Sequence, residues 1–226
     1  MTAAERFDPR LVRAHRTDHH LQAVPADRLT PGGLRAHFAQ PPSWSPEIVR
    51  ELPLPGRQAA MAAVLVPLVM RESQLTLLLT ERGRHLSSHS GQIAFPGGRK
   101  DPSDPDLVYT ALREAHEEIG LHDSFVEVLG SLPAYVTGTG FIVTPVVALV
   151  RPGFNLQANP AEVADVFEVP MDYLMNPAHH RHHQAVMAGV ERQFLSMPWI
   201  APDERERFIW GATAGMLRNL YRFLVS

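Results

Sequence analysis

Unbroken and alternating runs of apolar residues divide the chain into several strands and two helices. Residues 62–70 (AAVLVPLVM) are apolar throughout, which predicts a strand buried on both faces. Residues 75–81 (LTLLLTE) follow after a short polar turn and are predicted to form its neighbour. Further elements are predicted as strands over residues 92–95, 125–132, 142–150 and 163–169 and as helices over residues 105–119 and 207–224. This mixture predicts an α/β domain whose helices pack on a sheet.

Residues 1–58 differ in composition from the rest of the chain. They are rich in His, Arg and Pro, and the segments PPSWSP and LPLPG interrupt regular structure. Residues 11–15 and 46–52 are each predicted as a short helix. We expect residues 1–58 to form an N-terminal extension packed on a main domain of residues 59–226, with a disordered tail as the alternative.

The composition indicates an ordinary globular protein and excludes several classes of function. The 226 residues carry a net charge of -3, so the chain lacks the broad basic surface of a protein that binds DNA or RNA. The sequence contains no cysteine, which excludes disulfides, thiolate zinc sites and cysteine nucleophiles. Its first residues lack an apolar core, so we expect no signal peptide, and no apolar run reaches the roughly 20 residues that cross a bilayer. We therefore expect a cytoplasmic protein whose partner is neither nucleic acid nor a membrane.

Local signals define both ends of the helix predicted over residues 105–119. Asp104 has the side chain favoured at an N-cap, and Pro105 suits the first helical position. Gly120 is placed to end the helix in the left-handed conformation. At about 100° per residue, one stripe of the helix is apolar and is expected to face the core. This stripe comprises Val108, Ala111, Leu112, Ala115 and Ile119.

Three carboxylates share a different arc of the same helix. Glu114, Glu117 and Glu118 stand at positions i, i+3 and i+4, where like charges repel one another. They also lie near the C-terminal end, where the helix dipole disfavours negative charge. A divalent cation would turn this repulsion into attraction, and Mg²⁺ binds a few carboxylates together with waters and phosphates.

A solvated acidic face is the alternative interpretation of this arc, with Arg113 pairing with Glu117 at i+4. The turn that precedes the helix favours the metal hypothesis. It contains Gly97 and Gly98 after a proline, and glycines let the backbone come close to a ligand. A backbone carbonyl in this turn would reach the same metal.

The run from residue 98 to residue 121 resembles the Nudix box, G-x5-E-x7-R-E-U-x-E-E-x-G-U, in which U is apolar. Its second half is complete, with REAHEEIGL over residues 113–121. The first half departs from the pattern, because Asp104 stands in place of Glu and 14 residues separate Gly98 from Arg113 instead of 13. We interpret this as a one-residue loop insertion that keeps the metal-binding turn in register and leaves Asp104 as a cap.

The resemblance implies a Nudix-type α/β/α sandwich with a mixed central sheet. It implies that Glu114 and Glu118 are the principal ligands of Mg²⁺ or Mn²⁺, and that Glu117 binds a second metal or acts through a water. It assigns Arg113 to orienting these carboxylates, so that Glu117 and Arg113 are the expected catalytic residues.

A second resemblance lies upstream of the box. Residues 78–98 (LLTERGRHLSSHSGQIAFPGG) are similar to the signature LLTxRSxxxRxxxGxxxFPGG of the coenzyme A pyrophosphatases, a Nudix subfamily. Gly83 replaces the usual Ser and Ser87 the usual Arg. Residues 132–147 and 208–214 also look like parts of this subfamily. The resemblance implies that Arg82, Gly97 and Gly98 bind the substrate.

The implied reaction is hydrolysis of the diphosphate bond of coenzyme A or a derivative. It yields adenosine 3',5'-bisphosphate and 4'-phosphopantetheine, with a helix carboxylate or a loop residue such as Glu162 as the general base. Another Nudix pyrophosphatase, acting on ADP-ribose, NADH or a nucleoside triphosphate, is one alternative. A non-catalytic nucleotide-sensing module is the other, although such modules usually lose box carboxylates. A homodimer is also a hypothesis.

Four histidines lie close together in the segment HHRHH, over residues 179–183. Dense histidines can bind transition metals. The segment follows Pro177 and lacks the ligand spacing of a zinc site, so a solvated loop is the favoured prediction.

Overall fold

The computed structural model describes residues 7–52, 59–83, 91–187 and 190–226. Within these ranges the strands and α-helices are β1 (Ala14–Thr17), α1 (Pro31–Ala39), β2 (Ala60–Met70), β3 (Leu75–Arg82), β4 (Ile93–Ala94), β5 (Gly97–Arg99), α2 (Leu107–Ile119), β6 (Val126–Ser131), β7 (Tyr135–Val136), β8 (Phe141–Val150), β9 (Val163–Pro170), α3 (Met171–Leu174), β10 (Arg181–Met187), β11 (Val190–Ile200), β12 (Glu206–Trp210) and α4 (Gly211–Val225). No described helix has the length and apolar character needed to cross a bilayer.

The predicted apolar strands form the centre of a mixed sheet. β2 and β8 run parallel along their length, from the Ala60–Phe141 pair to the Val69–Val150 pair. The remaining pairings of this sheet, among them β3 with β9 and β6 with β8, are antiparallel. All six predicted strands are present, with ends that differ from the predicted ones by at most two residues.

Both faces of the mixed sheet are covered, and the side chains of β2 alternate between them. Leu65 and Val69 lie in the core beneath α2, whereas Val66 and Leu68 lie in the core shared with α4. Full burial of one such side chain stabilises the fold by about 1.5–3 kcal/mol. The predicted α/β/α sandwich with a mixed sheet is therefore confirmed.

The prediction of a helix over residues 207–224 is wrong at its start. Residues 206–210 form β12, which pairs with β11, and the helix begins at Gly211. Gly211 adopts a left-handed backbone with φ 62°, which ends the strand and redirects the chain. Phe208 and Ile209 are buried on opposite sides of a strand, an arrangement that a helical period does not distinguish over so few residues.

A second, antiparallel sheet has the strand order β1–β10–β11–β12 within the described residues and was not predicted. The prediction of a loop for the histidine segment is wrong from residue 181 onward, because His182 and His183 lie in β10. His183 is buried, stacks on Phe194 at 4.7 Å and shares a hydrogen bond with Ser196. Partners within the protein thus occupy these histidines. Strands made mainly of polar residues carry little hydrophobic signal.

Residues 7–52 pack on the rest of the molecule. Leu34 in α1 is fully buried, and the buried Asp18 carboxylate lies 3.1 Å from Arg218 of α4. The helices predicted over residues 11–15 and 46–52 are wrong, since β1 begins within the first range and the second carries only an isolated bridge from Arg50 to Val136. The boundary between residues 58 and 59 stays a prediction, and residues 53–58 lie outside the described ranges.

Candidate active site

Helix α2 presents the acidic arc, and its first turn differs from the prediction. The N-cap is Asp106, whose Oδ1 accepts a hydrogen bond from the Tyr109 amide at 2.8 Å, and the helix begins at Leu107. The predicted cap, Asp104, is therefore wrong. Gly120 ends the helix with φ 70°, as predicted. The apolar stripe faces the sheet, with Ala111, Ala115 and Ile119 buried.

Asp104 is buried and anchors Arg113 instead of capping the helix. Arg113 Nε donates to Asp104 Oδ1 at 3.0 Å, and Nη2 donates to Oδ2 at 2.9 Å. Oδ2 also accepts from the Thr110 hydroxyl and from the Asp101 amide, each at 2.9 Å. The guanidinium hydrogen bonds hold the pKa of Asp104 far below its usual range. A buried charge with this many donors is fully paired.

Arg113, which Asp104 holds in place, also contacts two of the three box carboxylates. Its Nη2 lies 2.9 Å from Glu114 Oε1, and its Nη1 lies 2.9 Å from Glu117 Oε2. The i+4 pair expected for a solvated acidic face is thus present, but the same guanidinium also holds Glu114. These contacts suit an orienting residue, the role that the sequence predicts for Arg113.

Glu118 is the most deeply buried of the three carboxylates, with 4% of the residue exposed. Burial is the main cause that raises its pKa to about 7. A hydrogen bond from the Gly97 amide at 3.1 Å and the Arg82 guanidinium, 3.7 Å away, favour the charged form. The carboxylates of Glu162 and Glu114 oppose it. Glu118 is thus a buried carboxylate that lies near two other carboxylates, those of Glu114 and Glu162.

Glu114 shares this environment. Burial raises its pKa, the Arg113 guanidinium lowers it, and Glu117 and Glu162 raise it again by repulsion. Its carboxylate lies against the backbone of β5, where a Cβ at Gly98 would come within 2.5 Å of Glu114 Oε2. Only glycine at residue 98 leaves this carboxylate in place. Gly97 and Gly98, predicted to bind substrate, therefore lie beside Glu118 and Glu114 respectively.

The predicted trio of metal ligands is only partly assembled. Among the described residues, no three His, Asp or Glu side chains already surround a point that a metal ion would occupy. Glu117 turns towards Arg113 and is half-exposed. Glu114, Glu118 and Glu162 nevertheless bring mutually repelling oxygen donors together, and hard divalent cations prefer such donors. The donor chemistry fits a divalent cation, the kind of ion that Nudix hydrolases generally use.

Arg82 reaches the site from an irregularity in the sheet. Glu81 pairs with Asp165 and Arg82 pairs with Val163, so the register of β3 against β9 shifts between Glu81 and Arg82 and the extra residue, Ala164, belongs to β9. Beyond it, the Gly83 amide donates to the carbonyl oxygen of Glu162 at 2.8 Å, which ties the end of β3 to the residue before β9. Ser87, the other departure from the upstream signature, lies outside the described residues.

Glu162 is the site residue that sequence reasoning only partly found. The sequence offers it only as one of several candidates for the general base, and nothing in the local pattern around residue 162 singles it out. The antiparallel pairing of β3 with β9 brings it to the carboxylates of α2.

Comparison with known proteins gives consistent matches. The NUDIX domain family model matches residues 59–189. A protein of Enterobacter sp. (strain 638) named "Uncharacterized Nudix hydrolase NudL" is 42% identical over 159 residues, which cover 70% of this chain and 80% of that one. A protein of the same name from Yersinia enterocolitica serotype O:8 is 43% identical over 172 residues, covering 74% of this chain and 85% of that one.

The solved structures that match are less similar to this chain in sequence than these two proteins are. A C. elegans Ap4A hydrolase in a binary complex has a TM-score of 0.44 and 20% identity, covering 53% of this chain and 86% of that one. The NUDIX domain of Shewanella oneidensis NrtR, complexed with ADP ribose, has a TM-score of 0.40 and 21% identity, covering 63% of this chain and 84% of that one.

Proposed function

The chain belongs to the Nudix hydrolase family, and from this premise we propose that its substrate is coenzyme A or a coenzyme A derivative. The coarser activity, hydrolysis of a diphosphate bond in a nucleoside diphosphate derivative, follows from the family itself. For coenzyme A the products are adenosine 3',5'-bisphosphate and 4'-phosphopantetheine. The upstream signature over residues 78–98 supports this choice of substrate.

The approach of Arg82 to Glu118 is the structural observation that carries the hydrolysis of a diphosphate, whereas the choice of coenzyme A rests on the upstream signature. Nη1 of Arg82 lies 3.7 Å from Glu118 Oε1, too far for a hydrogen bond, and its buried Nε has no acceptor among the residues that the structure describes. A guanidinium with spare donors suits phosphate oxygens. A phosphate-binding group therefore stands next to the carboxylates that would hold the metal, as hydrolysis of a diphosphate requires.

Glu114 and Glu118 would hold Mg²⁺ or Mn²⁺, with Glu117 joining them after it leaves Arg113. The bound ion supplies charge neutralisation at the diphosphate and lowers the pKa of water. Arg113 keeps Glu114 and Glu117 oriented, since Asp104 fixes its guanidinium. The Gly97 amide holds Glu118 by a hydrogen bond.

Glu162 is our candidate for the proton acceptor, with a carboxylate of α2 as the alternative. It lies close enough to Glu114 and Glu118 to raise the pKa of both. In the reaction, a water oxygen forms a bond to one phosphorus, the proton of that water passes to the carboxylate, and the bridging P–O bond breaks. The electron pair of that bond leaves with the second phosphate.

Product analysis by chromatography tests the proposal. The protein is incubated with Mg²⁺ and, in parallel, with coenzyme A, ADP-ribose, NADH and dATP. Rapid release of adenosine 3',5'-bisphosphate from coenzyme A, with little turnover of the other compounds, is the expected result. Preferential cleavage of ADP-ribose, NADH or dATP would overturn the substrate while keeping the hydrolase chemistry, and would indicate that Gly83 and Ser87 accompany a changed substrate.

A further inference from the structure

Arg207 of β12 is buried and contacts the pair of strands, β3 and β9, at the end of which Arg82 lies. Its Nη1 lies 2.7 Å from Asp165 Oδ2 in β9 and 3.4 Å from Glu81 Oε2 in β3. Its guanidinium also lies over the ring of Phe167, 4.4 Å from the centroid. Glu81 and Asp165 face each other across the β3–β9 ladder, so one guanidinium joins the two strands.

One neighbouring arginine and a third carboxylate complete this cluster. Arg205 Nη2 lies 3.2 Å from Glu81 Oε2, and its Nη1 lies 3.3 Å from Asp165 Oδ2. Arg207 Nη2 lies 3.3 Å from Asp203 Oδ2. Arg205 is half-exposed, whereas the side chain of Arg207 is 6% exposed, so Arg207 makes the less screened contacts.

The position of this cluster along β3 gives it a consequence for the site. Glu81 and Arg82 are adjacent, and successive side chains of a strand point to opposite faces. Glu81 therefore meets the second sheet on one face, while Arg82 meets Glu118 on the other. The register shift lies between these two residues. Because the two residues are adjacent, a contact that holds Glu81 and Asp165 together also holds the end of β3 from which Arg82 extends.

We propose that Arg207 is a positioning residue for substrate binding: by joining Glu81 to Asp165 it holds the end of β3 against β9 and so keeps Arg82 directed towards the diphosphate. The inference rests on the proposed function only in that Arg82 contacts the substrate. The second sheet would then contribute to substrate binding, because β12 supports β3, the strand that carries Arg82.

Arg218 offers a matched control. It is also an arginine of low exposure, 3% of its side chain, and it also joins two carboxylates, those of Asp18 and Glu47, beside the ring of Tyr221. Its carboxylate partners belong to the N-terminal extension, and none of its partners lies in β3 or β9. Arg207→Lys and Arg218→Lys each keep the charge and lose the planar, two-pronged geometry.

A double-mutant cycle with Arg82→Ala tests the proposal, using whichever compound of the substrate panel the protein cleaves best. Arg207→Lys is expected to raise KM about 5- to 10-fold with kcat within about twofold of the unmodified protein. The reason is that a displaced Arg82 would bind the ground state and the transition state more weakly by the same amount. In the Arg82→Ala background the same substitution should change KM by less than about twofold. Arg218→Lys should leave KM unchanged in both backgrounds. Equal KM effects with and without Arg82, or an equal effect of Arg218→Lys, would overturn the proposal.

Hydrogen exchange supplies a readout that does not depend on turnover. The Gly83 amide, which donates to Glu162 beyond the bulge, should exchange about 5-fold faster in Arg207→Lys and at the unmodified rate in Arg218→Lys. Glu81→Gln, which weakens the same bridge from the other side, should reproduce both effects if Arg207→Lys folds poorly. Unchanged exchange at Gly83 in both variants would overturn the positioning role, whereas a different preferred substrate would overturn only the coenzyme A assignment.

Discussion

Arg113 and Asp104 form a two-pronged ion pair beside the start of α2, with Nε to Oδ1 at 3.0 Å and Nη2 to Oδ2 at 2.9 Å. The Asp104 carboxylate is buried and accepts two further hydrogen bonds, so it is itself held in place and fixes the position of the Arg113 guanidinium. The same guanidinium contacts Glu114 and Glu117. The position of Asp104 in the loop before α2 therefore determines where these two carboxylates lie.

Asp104→Asn is expected to reduce kcat by about 10- to 100-fold, as is typical when a group supporting metal ligands is lost. The amide accepts from only one prong of Arg113, which then releases Glu114 and Glu117. Asp106→Asn is the control, with the same chemical change two residues away at the true N-cap, where Asn caps as well as Asp. Steady-state kinetics on both variants decide the matter, and equal activity of the two would refute the supporting role of Asp104.

Glu118→Gln is expected to abolish turnover, with a loss of at least about 100-fold, while the fold stays intact. In the absence of metal the variant should melt no lower than the unmodified protein, because it removes a buried charge whose pKa burial raises to about 7. Glu127→Gln removes an exposed carboxylate on β6 and serves as the control. Full activity of Glu118→Gln would disprove the assignment of this residue to the metal.

EDTA is expected to stop hydrolysis, and added Mg²⁺ or Mn²⁺ to restore it. The ion should also raise the melting temperature of the unmodified protein, since it binds the folded site, where Glu114 and Glu118 repel each other. Differential scanning fluorimetry measures this shift, and Glu118→Gln should show little of it. Unimpaired hydrolysis in EDTA would contradict the proposed metal dependence.

Alanine at the two adjacent glycines of β5 should have different effects. At Gly98 a Cβ meets the Glu114 carboxylate, which can swing away, so Gly98→Ala should lose activity and keep its melting temperature. At Gly97 a Cβ would lie 2.4 Å from the Ala63 carbonyl oxygen and 2.6 Å from Val64 Cα, which are backbone atoms of β2. Gly97→Ala should therefore lose stability as well. Thermal melts and kinetics on both variants test this contrast, and the reverse pattern would refute it.

His180 should make the protein less stable in mild acid. Burial lowers the pKa of His180 to about 4, and the Arg218 guanidinium, whose Nη1 lies 2.9 Å from Nδ1, also lowers it, whereas the hydrogen bond that Nε2 donates to the Leu174 carbonyl opposes the shift. The unfolded chain, with a histidine pKa near 6.5, binds a proton between pH 6.5 and pH 4 that the folded chain does not. This histidine therefore costs stability as pH falls through that window and has no effect above it.

His180→Gln keeps a donor and an acceptor but does not titrate. Urea denaturation at pH 7 and pH 4.5 should show a loss of unfolding free energy about 2 kcal/mol smaller in His180→Gln than in the unmodified protein. The carboxylates titrate in both proteins, so their contribution cancels in this comparison. An equal loss in the two proteins would show that His180 is not responsible.

The sequence predicted the elements whose signals are local. Helix α2 could be bounded from its neighbours, since Gly120 ends it and its apolar stripe repeats with the helical period. The strands of the mixed sheet are buried on both faces, so their apolar runs are unbroken. The predicted closing helix is too long at its start, because the five residues of β12 are too few to distinguish a strand from a helix.

Longer-range contacts were beyond sequence reasoning. Asp104 resembles a cap, and only the folded loop places it under Arg113, nine residues further on. The second sheet went unnoticed, because β10 consists largely of polar residues whose burial depends on partners such as Phe194 and Ser196. Glu162 is brought to α2 by the pairing of β9 with β3.

The sequence by itself determined the family, the mixed α/β architecture and the helix that presents three carboxylates on one arc, because helical period, end signals and apolar runs act between near neighbours. The tertiary structure alone decided which carboxylates converge and what holds them. Glu118 acquires its raised pKa from burial beneath β5 and from Glu162, and Arg82 extends from the end of a strand that Arg207 contacts from another sheet. Burial and electrostatic interactions depend on distance in space, which separation along the chain does not fix.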